Sequence, residues 1–257
     1  MVAPDSLDGT SDDAVLGGRL VLRQPLRGHR VGHDAILLAA AAAARAGDHA
    51  VDLGAGVGAA GLALARRIAG ISVTLVDIDA SLVALARHNA ARNGAATAVR
   101  ALCLDVAAPP ASFAAAGLAA ASADCVLMNP PFNVVQNPSP EPQRRAAHAA
   151  SVGTLDEWLR AASRLLRPSG ALTLIWRADG LTEVLGGLAA DFGAVTLLPI
   201  FPKPGAPAIR ILARAIKSSR APLAFLPGLV LADAAAKPTT EAEAVLRGGA
   251  SLPLVDR

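Results

Sequence analysis

Residues 51–58 read Val51-Asp52-Leu53-Gly54-Ala55-Gly56-Val57-Gly58, an apolar run closed by an acid, then three glycines at alternate positions, and the helical pattern of Gly61 to Ile68 follows. A strand that runs into glycines and then into a helix lets backbone approach a ligand closely and offers it the free N–H groups of the helix start. The stretch therefore predicts an α/β unit with a nucleotide-type site. Gly56, Gly58 and Gly61 also spell G-x-G-x-x-G, and Asp77 lies about where a dinucleotide fingerprint expects its ribose acid. A dinucleotide-dependent oxidoreductase is thus the rival reading.

Downstream, Asn129-Pro130-Pro131-Phe132 directly follows the apolar run Cys125-Val126-Leu127-Met128. Both prolines fix φ and lack an N–H, and each biases its predecessor toward extended backbone. The Asn129 side chain and the Pro130 carbonyl can then present two acceptors along one edge, enough for both hydrogens of an exocyclic amine. Phe132 would stack on the ring that carries the amine, a contact worth roughly 1–3 kcal/mol. A Pro-rich turn after a core strand is the plainer reading of the tetrapeptide alone.

The two motifs decide the ligand together. Asp52 closes the strand just before the loop, where a carboxylate repels a pyrophosphate but suits the ammonium and sulfonium of S-adenosylmethionine. An oxidoreductase also leaves the amine-gripping tetrapeptide unexplained. Two further acids fit the same cofactor. Asp77 ends the run Ile71 to Val76, at a strand tip suited to ribose hydroxyls. Asp105 follows the expected strand Ala98 to Leu104, at another strand tip, and can accept from the adenine amine. Asp79 is read as the cap of the next helix.

With these strand-tip features in order, the chain resembles class I S-adenosylmethionine-dependent methyltransferases, and within them the bacterial tRNA(Val) adenine-N6 methyltransferases. The likeness runs from Leu20 to about Leu231. It implies a Rossmann-like class I methyltransferase fold, a seven-stranded mostly parallel sheet with an antiparallel late strand. It implies Asp52, Gly54, Gly56, Gly58, Asp77, Asp105 and Asn129 at the cofactor, Asn129 to Phe132 at the reacting amine, and tRNA as the substrate, methylated at an anticodon-loop adenine. Arg144, Arg145 and His148 are similar to basic residues that relatives carry on the substrate side, and Phe132, Arg144, Arg145 and Arg30 are the residues expected to bind substrate. Gln24 to Leu38, with Arg30 and Asp34, is similar to the region that in relatives closes over the methionine end of the cofactor, although no aromatic stands before Arg30 here. Ribosomal RNA guanine-N2 and release-factor glutamine-N5 methyltransferases offer the same planar amine. The glutamine enzymes usually carry Tyr at the fourth motif position and a helical N-terminal domain. This chain has no tyrosine. A catalytically silent S-adenosylmethionine-binding module is the remaining alternative.

The 257 residues are 53% hydrophobic, much of it alanine, enough for one sizeable core. The longest apolar stretch, Ala35 to Ala44, falls short of the roughly 20 residues that cross a bilayer. With an acidic start at Met1 to Asp13 and no signal-peptide core, a soluble cytoplasmic protein is expected. Cys103 and Cys125 both fall in expected strands as packed thiols, and His29 and His33 have no third ligand nearby, so no metal is expected. The expected organisation is a mobile tail at 1–16, a methyltransferase domain at 17–232, and a tail at 233–257 holding a short helix opened by Thr240-Glu241-Ala242-Glu243. From Arg144 to Arg220 there are eleven Lys or Arg against five acids, and Arg19 to Arg30 holds four arginines and no acid. Beside an active-site mouth these would form a footprint for phosphates.

Overall fold

The computed structural model describes residues 9–28, 30–131 and 155–255. The chain opens with an antiparallel hairpin, β1 (Thr10–Val15) on β2 (Leu20–Pro25), and enters α1 (His33–Ala41). Strand and helix then alternate through β3 (His49–Leu53), α2 (Ala59–Arg67), β4 (Ser72–Asp77), α3 (Ala80–Arg92), β5 (Val99–Cys103), α4 (Pro110–Ala115) and β6 (Ala123–Met128). After residue 154 come α5 (Leu155–Leu165), β7 (Leu166–Arg177), α6 (Leu181–Leu188), β8 (Phe192–Phe201) and β9 (Arg210–Lys217). The two-residue strands β10 (Ala224–Phe225) and β11 (Leu229–Val230) and the helix α7 (Thr240–Leu246) close the described chain.

The main sheet has the order β10-β8-β9-β7-β6-β3-β4-β5, with β11 also on β8. Its seven long strands are the seven expected, and β9 is antiparallel to both β7 and β8. β10 and β11 extend the β8 edge and were not expected, because runs this short carry no period. The parallel strands are buried on both faces, as βαβ crossovers require. Alternate residues serve the two faces: Ala50, Cys125 and Leu127 pack with α1, α2 and α3, while Val51, Leu53, Val126 and Met128 pack with α4, α5 and α6. Fully burying one such side chain is worth about 1.5–3 kcal/mol, and these strands supply most of the adhesion.

The short helix expected near the C-terminus is α7, and both ends are packed more closely than tails. Residues 10–15 form a strand, not part of a mobile tail, because the acids that suggested solvation have partners within reach. Asp12 lies 2.8 Å from Arg23 Nε and 2.7 Å from Arg92 Nη1, and these hydrogen bonds hold its carboxyl below the usual range. At the other end α7 is N-capped by Thr239, whose hydroxyl accepts from Ala242 N at 3.1 Å, one residue earlier than the expected box. The chain beyond α7 is packed. Leu252 and Leu254 are buried, Leu252 N donates to Ala40 O at 2.8 Å, and the buried Arg214 donates to Leu254 O at 2.6 Å. Of the two cysteines, Cys125 is buried as expected, but Cys103 ends β5 and is exposed.

No described helix is long and apolar enough to cross a membrane.

Candidate active site

Strand register builds the site. Leu53 of β3 lies opposite Val76 of β4 and Met128 of β6, so the next residues, Gly54, Asp77 and Asn129, form one row at the carboxyl ends of three adjacent strands. With strands about 4.8 Å apart, Asp77 and Asn129 flank the glycine loop across about 10 Å. Asp77 lies opposite Cys103, which puts Asp105 two residues past the tip of β5.

Within the loop the glycines do different work. Gly54, Gly56 and Gly58 all have φ between 55° and 89°, a region L-residues avoid. A Cβ on Gly54 would run into the Trp158 ring from α5, with Cζ3 at 2.8 Å. One on Gly58 would lie 2.8 Å from Leu75 Cδ1, and one on Gly61 would run into Leu75 Cδ2. A Cβ on Gly56 would meet nothing within 4 Å. Gly56 is therefore the open face of the loop.

The Asp77 carboxylate stands beside that opening, accepting from Gly56 N at 2.7 Å through Oδ2 and from Asp79 N at 2.9 Å through Oδ1. Asp79 caps α3 as expected, accepting from Ser81 N and Leu82 N. Ile78, between the two acids, is 49% exposed and gives the tip of β4 a bare apolar face. Asp105 turns its own loop, its Oδ1 accepting from Ala107 N at 2.8 Å. Asn129 is half-buried, Pro130 buried and Pro131 exposed, so the lip of β6 is anchored at its middle residue.

Asp52 is placed differently from the expected cation partner in the open site. It shares the strand face of Ala50, lies under the loop at 2% exposure, and accepts from Gly61 N at 2.8 Å in the first turn of α2. Burial first, and the neighbouring Asp77 after it, push its carboxyl up to about 7 against the Gly61 hydrogen bond.

Arg30, expected to reach substrate, is turned into the hairpin instead. Its Nη2 donates to Asp13 Oδ2 at 2.7 Å and Ser11 Oγ at 3.1 Å, and its Nη1 donates to Pro25 O. Arg23 pairs with Asp12 and Arg19 donates to Gly248 O, so three of the four arginines in 19–30 are engaged within the protein and their phosphate footprint shrinks. Gly32 is the cap of α1, and Asp34 lies in the first turn, 2.9 Å from Arg210 at the start of β9. Phe132, Arg144, Arg145 and His148 lie outside the described residues. Sequence reasoning missed Trp158 beneath Gly54, Ile78 beside Asp77, and Gln24, buried with its Nε2 on Asp13 and its Oε1 on Val31 N. Only Ile78 left a local signal, an apolar residue between two acids past a strand end. No group of three or more metal-ligating side chains is found among the described residues.

Comparison with known proteins bears on the fold and the family. A family model described as methyltransferase small domain matches residues 30–200. The chain belongs to that family. A tRNA1(Val) (adenine(37)-N6)-methyltransferase of Phocaeicola vulgatus is 30% identical over 156 residues, covering 61% of this chain and 63% of that one. A release factor glutamine methyltransferase of Chlorobaculum tepidum is 31% identical over 163 residues, covering 60% of this chain and 53% of that one. The chain thus spans between half and two thirds of these relatives. A solved structure from Agrobacterium tumefaciens, named a predicted O-methyltransferase, superposes with a TM-score of 0.73 at 30% identity, covering 85% of this chain and 98% of that one. The Rossmann-like methyltransferase fold stands, and with it S-adenosylmethionine as the cofactor.

Proposed function

We propose that this protein transfers the methyl group of S-adenosylmethionine to the exocyclic N6 amine of an adenine in tRNA. The observation that carries the reading is the row Gly54, Asp77 and Asn129 at three strand tips, with the open face at Gly56 between the acid and the amide. The cradle fits the cofactor: close backbone approach at Gly56, a ribose-type acid at Asp77, an apolar face at Ile78 for a purine, and a further acceptor at Asp105. When bound, the cofactor supplies an activated sulfonium methyl. Asn129 and the Pro130 carbonyl hold the two N–H groups of the target amine, which favours a pyramidal and more nucleophilic nitrogen. The target adenine leaves its stack to reach them. Positioning carries most of the rate, several kcal/mol by analogy with oriented intramolecular reactions, and no strong base is required.

The tRNA substrate, and an anticodon-loop adenine within it, are supported by the name of the Phocaeicola relative. The Chlorobaculum relative favours a second reading, a glutamine side-chain amide as acceptor. One assay separates them. Labelled S-adenosylmethionine is incubated with bulk tRNA from a strain lacking the protein, and in parallel with release factors. N6-methyladenosine formed by wild type and lost with Asn129→Ala supports the proposal. Label in the release factor and none in tRNA overturns it.

A further inference from the structure

We infer that Asn89 and Asn93 of α3 join the N-terminal hairpin to the glycine loop, and that cofactor affinity depends on how the hairpin docks. The inference rests on reading Gly54–Gly58 as the cofactor loop. Among the described residues, β2 pairs with β1 along one edge only. Its other edge faces α3, where the two asparagines sit four residues apart. Val21 N donates to Asn93 Oδ1 at 3.0 Å and Asn93 Nδ2 donates back to Val21 O at 2.9 Å. Arg23 N donates to Asn89 Oδ1 at 2.7 Å and Asn89 Nδ2 donates back to Arg23 O at 3.0 Å. Four residues of helix rise about 6 Å and two residues of strand about 6.8 Å, so each side-chain amide stands in for one residue of a missing neighbour strand.

Asn89 does more than dock the hairpin. It is 0% exposed, and its Nδ2 also donates to Val57 O at 3.0 Å. Val57 lies between Gly56, the open face of the loop, and Gly58, whose left-handed φ of 89° starts α2. One buried amide thus fixes the hairpin edge and the peptide plane in the middle of the loop together. A loop held in place before binding has less conformational freedom to lose when the ligand arrives. Asn89 is a positioning residue, and Asn93 acts one step further back, through β2 and its hydrogen bond to Asn89 O at 2.8 Å.

The test compares four full-length proteins: wild type, Asn93→Ala, Asn89→Asp, which keeps the acceptor for Arg23 N but cannot donate to Val57 O or Arg23 O, and Val195→Ala on β8 as a destabilised control. S-adenosylhomocysteine affinity is measured by titration calorimetry at a temperature where all four are folded. Amide exchange over residues 55–58 is followed by mass spectrometry. Asn93→Ala, which touches nothing in the loop, is expected to weaken binding by about 3- to 10-fold, the effect of about one neutral hydrogen bond, and to speed exchange at 55–58. Asn89→Asp is expected to weaken it further, and Val195→Ala to leave both readouts at wild-type values. Binding within twofold of wild type in both asparagine variants overturns the inference while the cofactor site stands. Failure of wild type to bind overturns the cofactor site itself.

Discussion

Alanine substitution along the glycine loop separates a glycine that admits ligand from one that admits protein. Gly54 and Gly56 share a left-handed φ, 67° and 55°, so either substitution carries about 1–2 kcal/mol of backbone strain. Gly54→Ala also drives a methyl into the Trp158 ring, and overpacking adds about 1–3 kcal/mol. Gly56→Ala adds nothing from that source, since its Cβ meets open space. The apo proteins should therefore differ by about 1–3 kcal/mol, or about 2–12 °C in melting temperature at this chain length. Ligand binding should reverse the order of harm. In Gly56→Ala the methyl occupies the space through which ligand approaches, and the same overpacking range predicts an affinity loss of about 5- to 150-fold. Differential scanning calorimetry with and without S-adenosylhomocysteine reads both quantities. Wild-type cofactor affinity in Gly56→Ala, or an apo stability loss equal to that of Gly54→Ala, would refute the assignment of Gly56 as the open face.

Asp52 makes stability depend on pH with a sign opposite to that of an ordinary carboxylate. Its folded value of about 7 lies above the ordinary carboxylate value of 3.8, so its contribution is fully present below pH 4 and is lost as pH rises through 7, by at most about 4 kcal/mol. Melting of the apo protein from pH 5.5 to 8.5 should show the fall, and Asp52→Asn should flatten it. A stop codon after Arg247 removes the buried Leu252 and Leu254 and leaves the buried Arg214 without its Leu254 acceptor, so a loss above about 4 kcal/mol is expected in urea titration. Thr74→Val deletes a hydroxyl that accepts from Arg100 Nε at 2.9 Å and contacts His49 Nε2 at 2.9 Å. It should cost about 1–3 kcal/mol in the same titration and leave cofactor affinity unchanged, because this network lies at the opposite ends of the strands.

What could be read in the chain was local. Gly54, Asp77 and Asn129 each end an apolar run, and the parallel register that aligns the runs brings the three to one rim without further information. Side-chain direction within those motifs was harder, since alternation says that Asp52 shares a face with Ala50 but not which helix covers that face. The covering helix is α2, and Gly61 N takes the carboxylate before any ligand can. The same distance in sequence hid the other corrections. Arg30 finds Asp13 seventeen residues back, in a segment whose acids resembled a solvated tail. Asn89 finds Arg23 across 66 residues, and Trp158 lies under Gly54 from a helix on the far side of the tetrapeptide.

These long-range partners have a common effect. Gly61 N and Asn89 Nδ2 from the α2 and α3 face of the sheet, and the Trp158 ring from the α5 face, hold the loop through Asp52, Val57 and Gly54 in turn. Gly56, between the last two, has no such hold on its Cα side, and its amide is presented to Asp77 at the rim. A loop held at Asp52, Gly54 and Val57 and open at Gly56 is stiff where protein packs and bare where ligand arrives. Gly54 and Gly58 stand where a Cβ would strike packed side chains, and Gly56 stands where it would meet open space. The motif is legible as a ligand loop because its glycines meet both demands, close packing at Gly54 and Gly58 and an open face at Gly56. The clamps themselves come from residues that the motif does not contain.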